Sequence, residues 1–404
     1  MPTDVLYTAI GMKDYLPLSS SDKSGVLSLM VQPPNSALRC PECKGTDVIR
    51  RGTIDRKVYA PPIGLRTTLL RIQTPKVQCR QCGCVRTIEL PKVVPSKNHT
   101  KSFARLAIDL RKMMTIADVA LYLGVSHTMI REIDKLYLGR KFSKPKLGHV
   151  KYLAIDEISV RKGHKYLTIA MDLMSGEVVF VGDGKGENAL KPFWIRLRGS
   201  RAKILAVATD MSSAYFKAVQ ENLPNVSHVF DRFHIVKLMN DKLSALRREL
   251  HRDATDGPDK LSLKGTRWLL LKNPQNLDAD RNEHQRLEAA LKLNQSLSIG
   301  YYLKEDLQQI WEQSSKREAG KFITDWCSRA QASGIKQMQT MATTIATHRK
   351  GILAWYDHSI STGPLEGLNN KIKTLKRQAY GFRDLAYFKL RIYAIHLAKF
   401  ELIG

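Results

Sequence analysis

Three acids stand where an ordinary soluble domain has little use for them. Asp156 interrupts the apolar run YLAIDEISV, and Asp210 closes the apolar run ILAVATD. A carboxylate in a strand buried on both faces is costly unless it is paired or bound to a metal. If the two strands are neighbours in one sheet, the carboxylates share a site and repel each other, and a divalent cation removes that penalty. Magnesium suits such a pair because it prefers oxygen ligands and keeps waters for substrate phosphates. A third ligand is then expected from a helix lying across the sheet. In GPLEGLNNKIKTLKRQ, Pro364 is placed to start a helix, and Leu365, Leu368, Ile372 and Leu375 form one apolar stripe. Glu366, Asn369, Asn370, Lys373 and Arg377 fall on an adjacent face, one turn apart. That face runs from a carboxylate through amides to cations, as a metal site beside a phosphate track would require. Among the other acids, Glu157 points to the opposite strand face from Asp156 and is expected to be structural. Asp231 ends the next strand in FDRFH, and His234 follows it on a helix. Each could orient a ligand or substrate, and a structural histidine is an equal expectation for His234.

The second constellation is sulfur. Five of the six cysteines fall between positions 40 and 84: CPEC supplies Cys40 and Cys43, and CRQCGC supplies Cys79, Cys82 and Cys84. A Cys-x-x-Cys pair on a tight turn aims two thiolates at one point, and two such pairs offer the four soft tetrahedral ligands zinc prefers. The stretches between them, DVIRRGTIDRKVYA and RTTLLRIQTPKVQC, alternate and are rich in β-branched residues, so they read as strands. Residues 40–90 are therefore expected to form a zinc ribbon with Cys40, Cys43, Cys79 and Cys82 as ligands. Cys84 could replace Cys82. Cys327 stands alone and is expected in a core.

The elements that must position these groups follow along the chain. Residues 1–39, with the serine-rich piece LSSSDKSG, are expected as a loosely packed arm holding one short helix. After a proline-containing basic linker, residues 100–149 carry helical periodicity. IADVALYLGVSHTMIREI reads as a helix, a turn at Gly124, a cap at Ser126 and a second helix over Ser126 to Leu138, which is helix-turn-helix patterning. That places Ser126, His127, Thr128 and Arg131 toward DNA; a plain helical bundle gives similar spacing. Residues 150–250 begin with three strands in a meander, then alternate helix and strand, which suggests a mixed sheet with helices on both faces. Residues 251–350 are helical in pattern, and 351–404 add two helices broken near Gly381.

Composition narrows the class. The 404 residues exceed what one core usually holds. The formal charge of +27 is spread along the chain and attracts polyanions, nucleic acid foremost. No run of eighteen apolar residues predicts a transmembrane helix, and the N-terminus lacks the basic start and apolar stretch of a secretory signal. A cytoplasmic, nucleoid-associated protein is expected, in which cysteines bind metal rather than form disulfides.

The ordered stretches AIDEISVRKGHKYLTIAMDL, ATDMSSAYFKAV, LPNVSHVFDRFHIVKLMN and STGPLEGLNNKIKTLKRQAYGFRD resemble the DDE transposases of the ISL3 family of bacterial insertion sequences. The resemblance covers residues from about 40 to 400, including the zinc ribbon and helix-turn-helix. It implies an RNase H-like catalytic core interrupted by an all-α insertion. It implies a magnesium-binding catalytic triad of Asp156, Asp210 and Glu366, with two Mg2+ (or Mn2+) ions serving phosphoryl transfer. The implied partners are element terminal inverted repeats and target DNA, handled by a homodimer or larger synaptic assembly. Lys373 and Arg377 are then expected on phosphate. Trp326 in TDWC is a candidate for stacking on a displaced base, as in some transposases with helical insertions, against the plainer expectation of a core tryptophan. Two other functions use the same features: a zinc-ribbon DNA-binding regulator without catalysis, and an RNase H-like nuclease that cuts without joining.

Overall fold

The computed structural model describes residues 3–161, 165–254 and 258–396. The chain divides into two units, 3–143 with 378–390, and 144–377 with 391–396.

The first unit opens with helix α1 (Thr3–Ile10) and strands β1 (Leu16–Lys23) and β2 (Val26–Gln32). The long strands β3 (Val48–Ile63) and β4 (Arg66–Cys79) follow, then the short β5 (Val85–Thr87). They form one mixed sheet in the order β1-β2-β4-β3, with β5 also on β4 and with β2 parallel to β4. The first 39 residues are thus not a loose arm. Ser24 and Gly25, at φ 51° and 76°, form the two-residue turn that pairs Lys23 with Val26. Leu29 and Val31 of β2 join Leu6, Ile10, Tyr15, Leu70 and Ile72 in a buried core. Serine-rich β1 lies at the sheet edge and is mostly exposed, which is why its composition looks like an arm.

Helices α2 (Lys101–Met113), α3 (Ile116–Leu123) and α4 (His127–Phe142) pack around Phe103, Ala107, Val119, Leu123, Ile130 and Ile133. Local chemistry sets their ends. Thr115 and Asp118 form a reciprocal capping box, Gly124 takes the left-handed conformation (φ 64°, ψ 37°), and the Ser126 side chain accepts from Met129 N–H. Helix α4 runs four residues past the expected end at Leu138, to Phe142.

In the second unit, β6 (Tyr152–Arg161), β7 (Lys165–Asp172) and β8 (Val178–Asp183) form an antiparallel meander. Then α5 (Glu187–Arg198), β9 (Ala206–Thr209), α6 (Ser213–Asn222) and β10 (Ser227–Phe230) alternate. The strand order is β10-β9-β6-β7-β8, with β9 parallel to β6 and β10 parallel to β9. Helices α5 and α6 cover one face through Leu190, Phe193, Trp194, Tyr215 and Val219.

Helix α7 (Arg232–Asp253) then leads through α8 (Pro258–Leu263), α9 (Arg267–Leu271), α10 (Glu283–Leu293), α11 (Gln295–Gln308), α12 (Lys316–Ala332) and α13 (Lys336–Leu353). Among the described residues no strand follows β10. These helices share a core that includes Met239, Leu243, Leu307, Ile323, Met341 and Trp326. Trp326 is 0% exposed, and its Nε1–H donates to the Leu303 carbonyl at 2.9 Å. It offers no face to a base, contrary to the stacking expectation and in line with the plainer one of a core tryptophan. Trp326→Ala should cost about 3–5 kcal/mol of stability, the range for truncating a core aromatic, read as a lower denaturation midpoint.

Helix α14 (Gly363–Gln378) and the last helix α15 (Leu385–Tyr393) are separated by a turn in which Tyr380 and Gly381 have φ 49° and 95°. Residues 378–390 belong with the first unit rather than with the sheet of the second, contrary to the expected grouping of 351–404. There Asp384 pairs with Lys135 of α4 at 2.6 Å, and the buried Asp134 receives Tyr387 O–H and the Arg111 guanidinium. Among the described residues, no helix is long and apolar enough to cross a membrane.

Candidate active site

The register of β6 on β9 sets Tyr152 opposite Ala206, Leu153 opposite Val207 and Ala154 opposite Ala208. Asp210 directly follows Thr209, the last residue of β9, and its carboxylate lies near enough to Asp156 for the two charges to repel. Glu157 lies on the opposite strand face from Asp156, where it accepts from Tyr215 O–H at 2.7 Å and Gly186 N–H at 3.0 Å. It is a bracket for the helices on that side, as its parity suggests.

Asp156 is held from two directions. Its Oδ1 accepts from Glu157 N–H at 2.7 Å, and its Oδ2 accepts from Asn369 Nδ2 of α14 at 2.8 Å. The helix carrying Glu366 therefore does lie against the sheet at Asp156. Burial pushes the Asp156 carboxyl above the usual carboxylate range, and the Asp210 and Glu157 charges add to this; the Glu157 N–H and His234 oppose it. His234, on the first turn of α7, is thus close enough to act on Asp156. Asp210 Oδ1 accepts from Ser212 N–H at 3.0 Å, which orients its carboxylate at the start of α6.

The start of α14 is fixed by another strand-end acid, Asp231. Asp231 is 2% exposed; its Oδ2 accepts from Thr362 Oγ1 at 2.8 Å and its Oδ1 from Thr362 N–H at 3.3 Å. Thr362 O in turn accepts Glu366 N–H at 2.9 Å, opening the helix. Below it, Leu365, Leu368 and Ile372 are buried. Thr362→Val keeps the shape but removes the hydroxyl, leaving an Asp231 oxygen buried and short of a donor. The expected cost is about 1–3 kcal/mol, seen as a lower unfolding temperature.

Glu366 itself is exposed, one turn before the buried Asn369. Among the described residues the only group of three or more His, Cys, Asp or Glu ligand atoms lying within 4.8 Å of one another is Cys40, Cys43, Cys79 and Cys82. The structure thus sets Asp210 near Asp156 and brings Glu366's helix to Asp156, without drawing all three carboxylates into one tight cluster. Lys373 and Arg377 are exposed farther along the same helix. In the first unit, Ser126, His127, Thr128 and Arg131 are all exposed at the start of α4. Spacing along α14 places Asn369 on this face, but spacing alone supplies a partner neither for it nor for Asp231. Both partners lie more than a hundred residues away in the chain.

The four thiols converge closely. Cys43 Sγ lies 3.5 Å from Cys79 Sγ, and Cys40 Sγ lies 3.6 Å from Cys82 Sγ. All are free of disulfides. Tight turns closed by Lys44 N–H to Cys40 O and Gly83 N–H to Cys79 O, each 3.0 Å, present them. Such a donor set fits zinc. Cys84 Sγ sits 3.3 Å from Cys40 Sγ and lies outside the group of four.

Residues 153–392 match the family model for ISL3-type DDE transposases, whose description is "Transposase". The transposase for insertion sequence element IS1001 of Bordetella parapertussis is 31% identical over 376 residues, covering 92% of each chain. The chain belongs to the ISL3 family of transposases. A second transposase, for element IS1557 of Mycobacterium tuberculosis, is 28% identical over 381 residues, covering 88% of this chain and 85% of that one. A Drosophila P element transposase strand transfer complex is a remote likeness, with 10% identity and a TM-score of 0.36 over 72% of this transposase and 90% of that chain. The family match begins at Leu153, inside β6, and ends at Ile392, inside α15. In this transposase it spans Asp156, Asp210, Asp231 and Asn369 alike.

Proposed function

We propose that this transposase binds the terminal inverted repeats of its element and catalyses metal-dependent DNA cleavage and strand transfer with Asp156, Asp210 and Glu366. The observation that carries the reading is the hydrogen bond that brings α14, through Asn369, onto Asp156, whose carboxylate also feels the charge of Asp210. The strand order, with β6 flanked by parallel β9 and antiparallel β7, supports an RNase H-like core. The capped α3–Gly124–α4 pair supports a helix-turn-helix, and the converging thiols between paired strands support a zinc ribbon.

The oxygen donors at Asp156 and Asp210, with the buried Asn369 Oδ1 beside Asp156, fit magnesium. A divalent cation there supplies Lewis acidity to a phosphodiester and lowers the pKa of a bound water or 3′-hydroxyl. The chain's own part is positioning: the Glu157 N–H and Asn369 orient Asp156, Ser212 N–H orients Asp210, and the Asp231–Thr362 bond holds the helix carrying Glu366. Lys373 and Arg377 extend that helix as a phosphate track, and the exposed start of α4 reads bases. Phosphate contacts hold the backbone and base contacts specify. Joining two ends calls for a dimer or larger assembly.

Labelled element ends, magnesium and a target plasmid test the reading. Joined product is expected. Cutting without joining would make the protein a nuclease, and binding alone a regulator. End binding should weaken steeply with salt. Because 378–390 pack with 3–143, a fragment ending at 143 should bind ends less well than the full chain.

A further inference from the structure

Asn369 lies three residues after Glu366 on α14, and it is 6% exposed where Glu366, Asn370 and Lys373 are exposed. Burying an amide is costly unless its polar atoms find partners. Only one half of this amide does so within the protein. Nδ2 donates to Asp156 Oδ2, while Oδ1 is buried and accepts no hydrogen bond among the described residues. Turning the amide over would set its oxygen against a carboxylate oxygen, so electrostatics selects the observed orientation. Because Nδ2 and Oδ1 share one planar amide, the orphaned oxygen is also a neighbour of the Asp156 carboxylate. Both are hard oxygens of the kind magnesium takes.

We propose that Asn369 is a further member of the cation site, its N–H fixing Asp156 and its Oδ1 serving as an oxygen donor to the divalent cation. This rests on the reading of Asp156 and Asp210 as the cation-binding pair. Glu366 and Asn369 then occupy the exposed and buried ends of one helix face. The buried position is supplied by a neutral donor, which adds no further charge to an already crowded pair of carboxylates.

The test is Mn2+ binding to the full-length protein by calorimetry, with the unfolding temperature followed in EDTA and in Mn2+. Asn369→Ala removes both the N–H and the oxygen and should weaken Mn2+ binding about tenfold or more, as loss of a residue supporting a metal site does. Asn369→Asp keeps an oxygen but sets a carboxylate beside Asp156. It should bind Mn2+ at least as tightly as the wild type, yet unfold at a lower temperature in EDTA. If Asn369→Ala binds Mn2+ with wild-type affinity while Asp210→Asn does not, Asn369 is only a latch and this inference fails with the carboxylate reading intact. If Asp156→Asn and Asp210→Asn both bind like the wild type, or the wild type binds no Mn2+, the carboxylate reading fails as well. Should Asn369→Ala not fold, loss of Mn2+ affinity in a folded Asn369→Asp protein would overturn the inference.

Discussion

Asp210→Asn is expected to reduce cleavage and joining at element ends by about a thousandfold or more while leaving end binding unchanged. Removing one ligand from a site whose charge stabilises the transition state costs on this scale. The substitution is the cleanest of the triad changes because the asparagine oxygen can still accept from Ser212 N–H, so the local turn is kept. Asp156→Asn is less clean. It would leave one acceptor oxygen for two donors, Glu157 N–H and Asn369 Nδ2, disturbing the latch as well as the charge. Glu366→Gln, at an exposed position, should behave like Asp210→Asn. Cleavage and joining of labelled ends, with a gel-shift measurement on the same preparations, separate catalysis from binding. Near-normal cleavage by Asp210→Asn would remove it from the mechanism.

Stripping zinc, or replacing Cys40 or Cys79 by Ser, should unfold the cysteine turns and abolish end binding. Each of these two thiols is buried, at the junction of β3, β4 and the tight turns. Structural zinc sites in small peptides contribute about 10–16 kcal/mol of apparent folding free energy. The loss here should be smaller, because Leu29, Val31, Leu70 and Ile72 give the sheet a core of its own. Zinc content and thermal unfolding with and without a chelator measure the effect. The same measurements choose between the last two thiols: Cys82→Ser should lose the metal, and Cys84→Ser should keep it. Retention of zinc by Cys82→Ser with loss in Cys84→Ser would reverse that ligand choice.

Features that were legible in advance depend on neighbours a few residues apart. The turn at Gly124, the Ser126 cap and the paired cysteines are local chemistry, and each stands where the residues place it. The strands β3 and β4 follow likewise from their alternation. The nearness of Asp210 to Asp156 was readable only in part. Alternation assigns each acid a face, but which strand neighbours which is a long-range choice. In the first 39 residues, serine content masks the Ser24–Gly25 turn and the buried Leu29 and Val31, so composition suggests an arm where the chain forms a hairpin.

By itself, then, the sequence determined the acids, the thiols, the helix caps and the apolar stripe of α14, because each rests on spacing within a turn or a pleat. Only the tertiary structure decided that Asp231 holds Thr362, that Asn369 reaches Asp156, and that 378–390 return to the first unit. Those contacts join residues far apart in the chain, and no periodicity within a segment records which distant group a buried polar atom will meet. The requirement that such atoms be satisfied is physical, but its solution is set by how the sheet and helices pack.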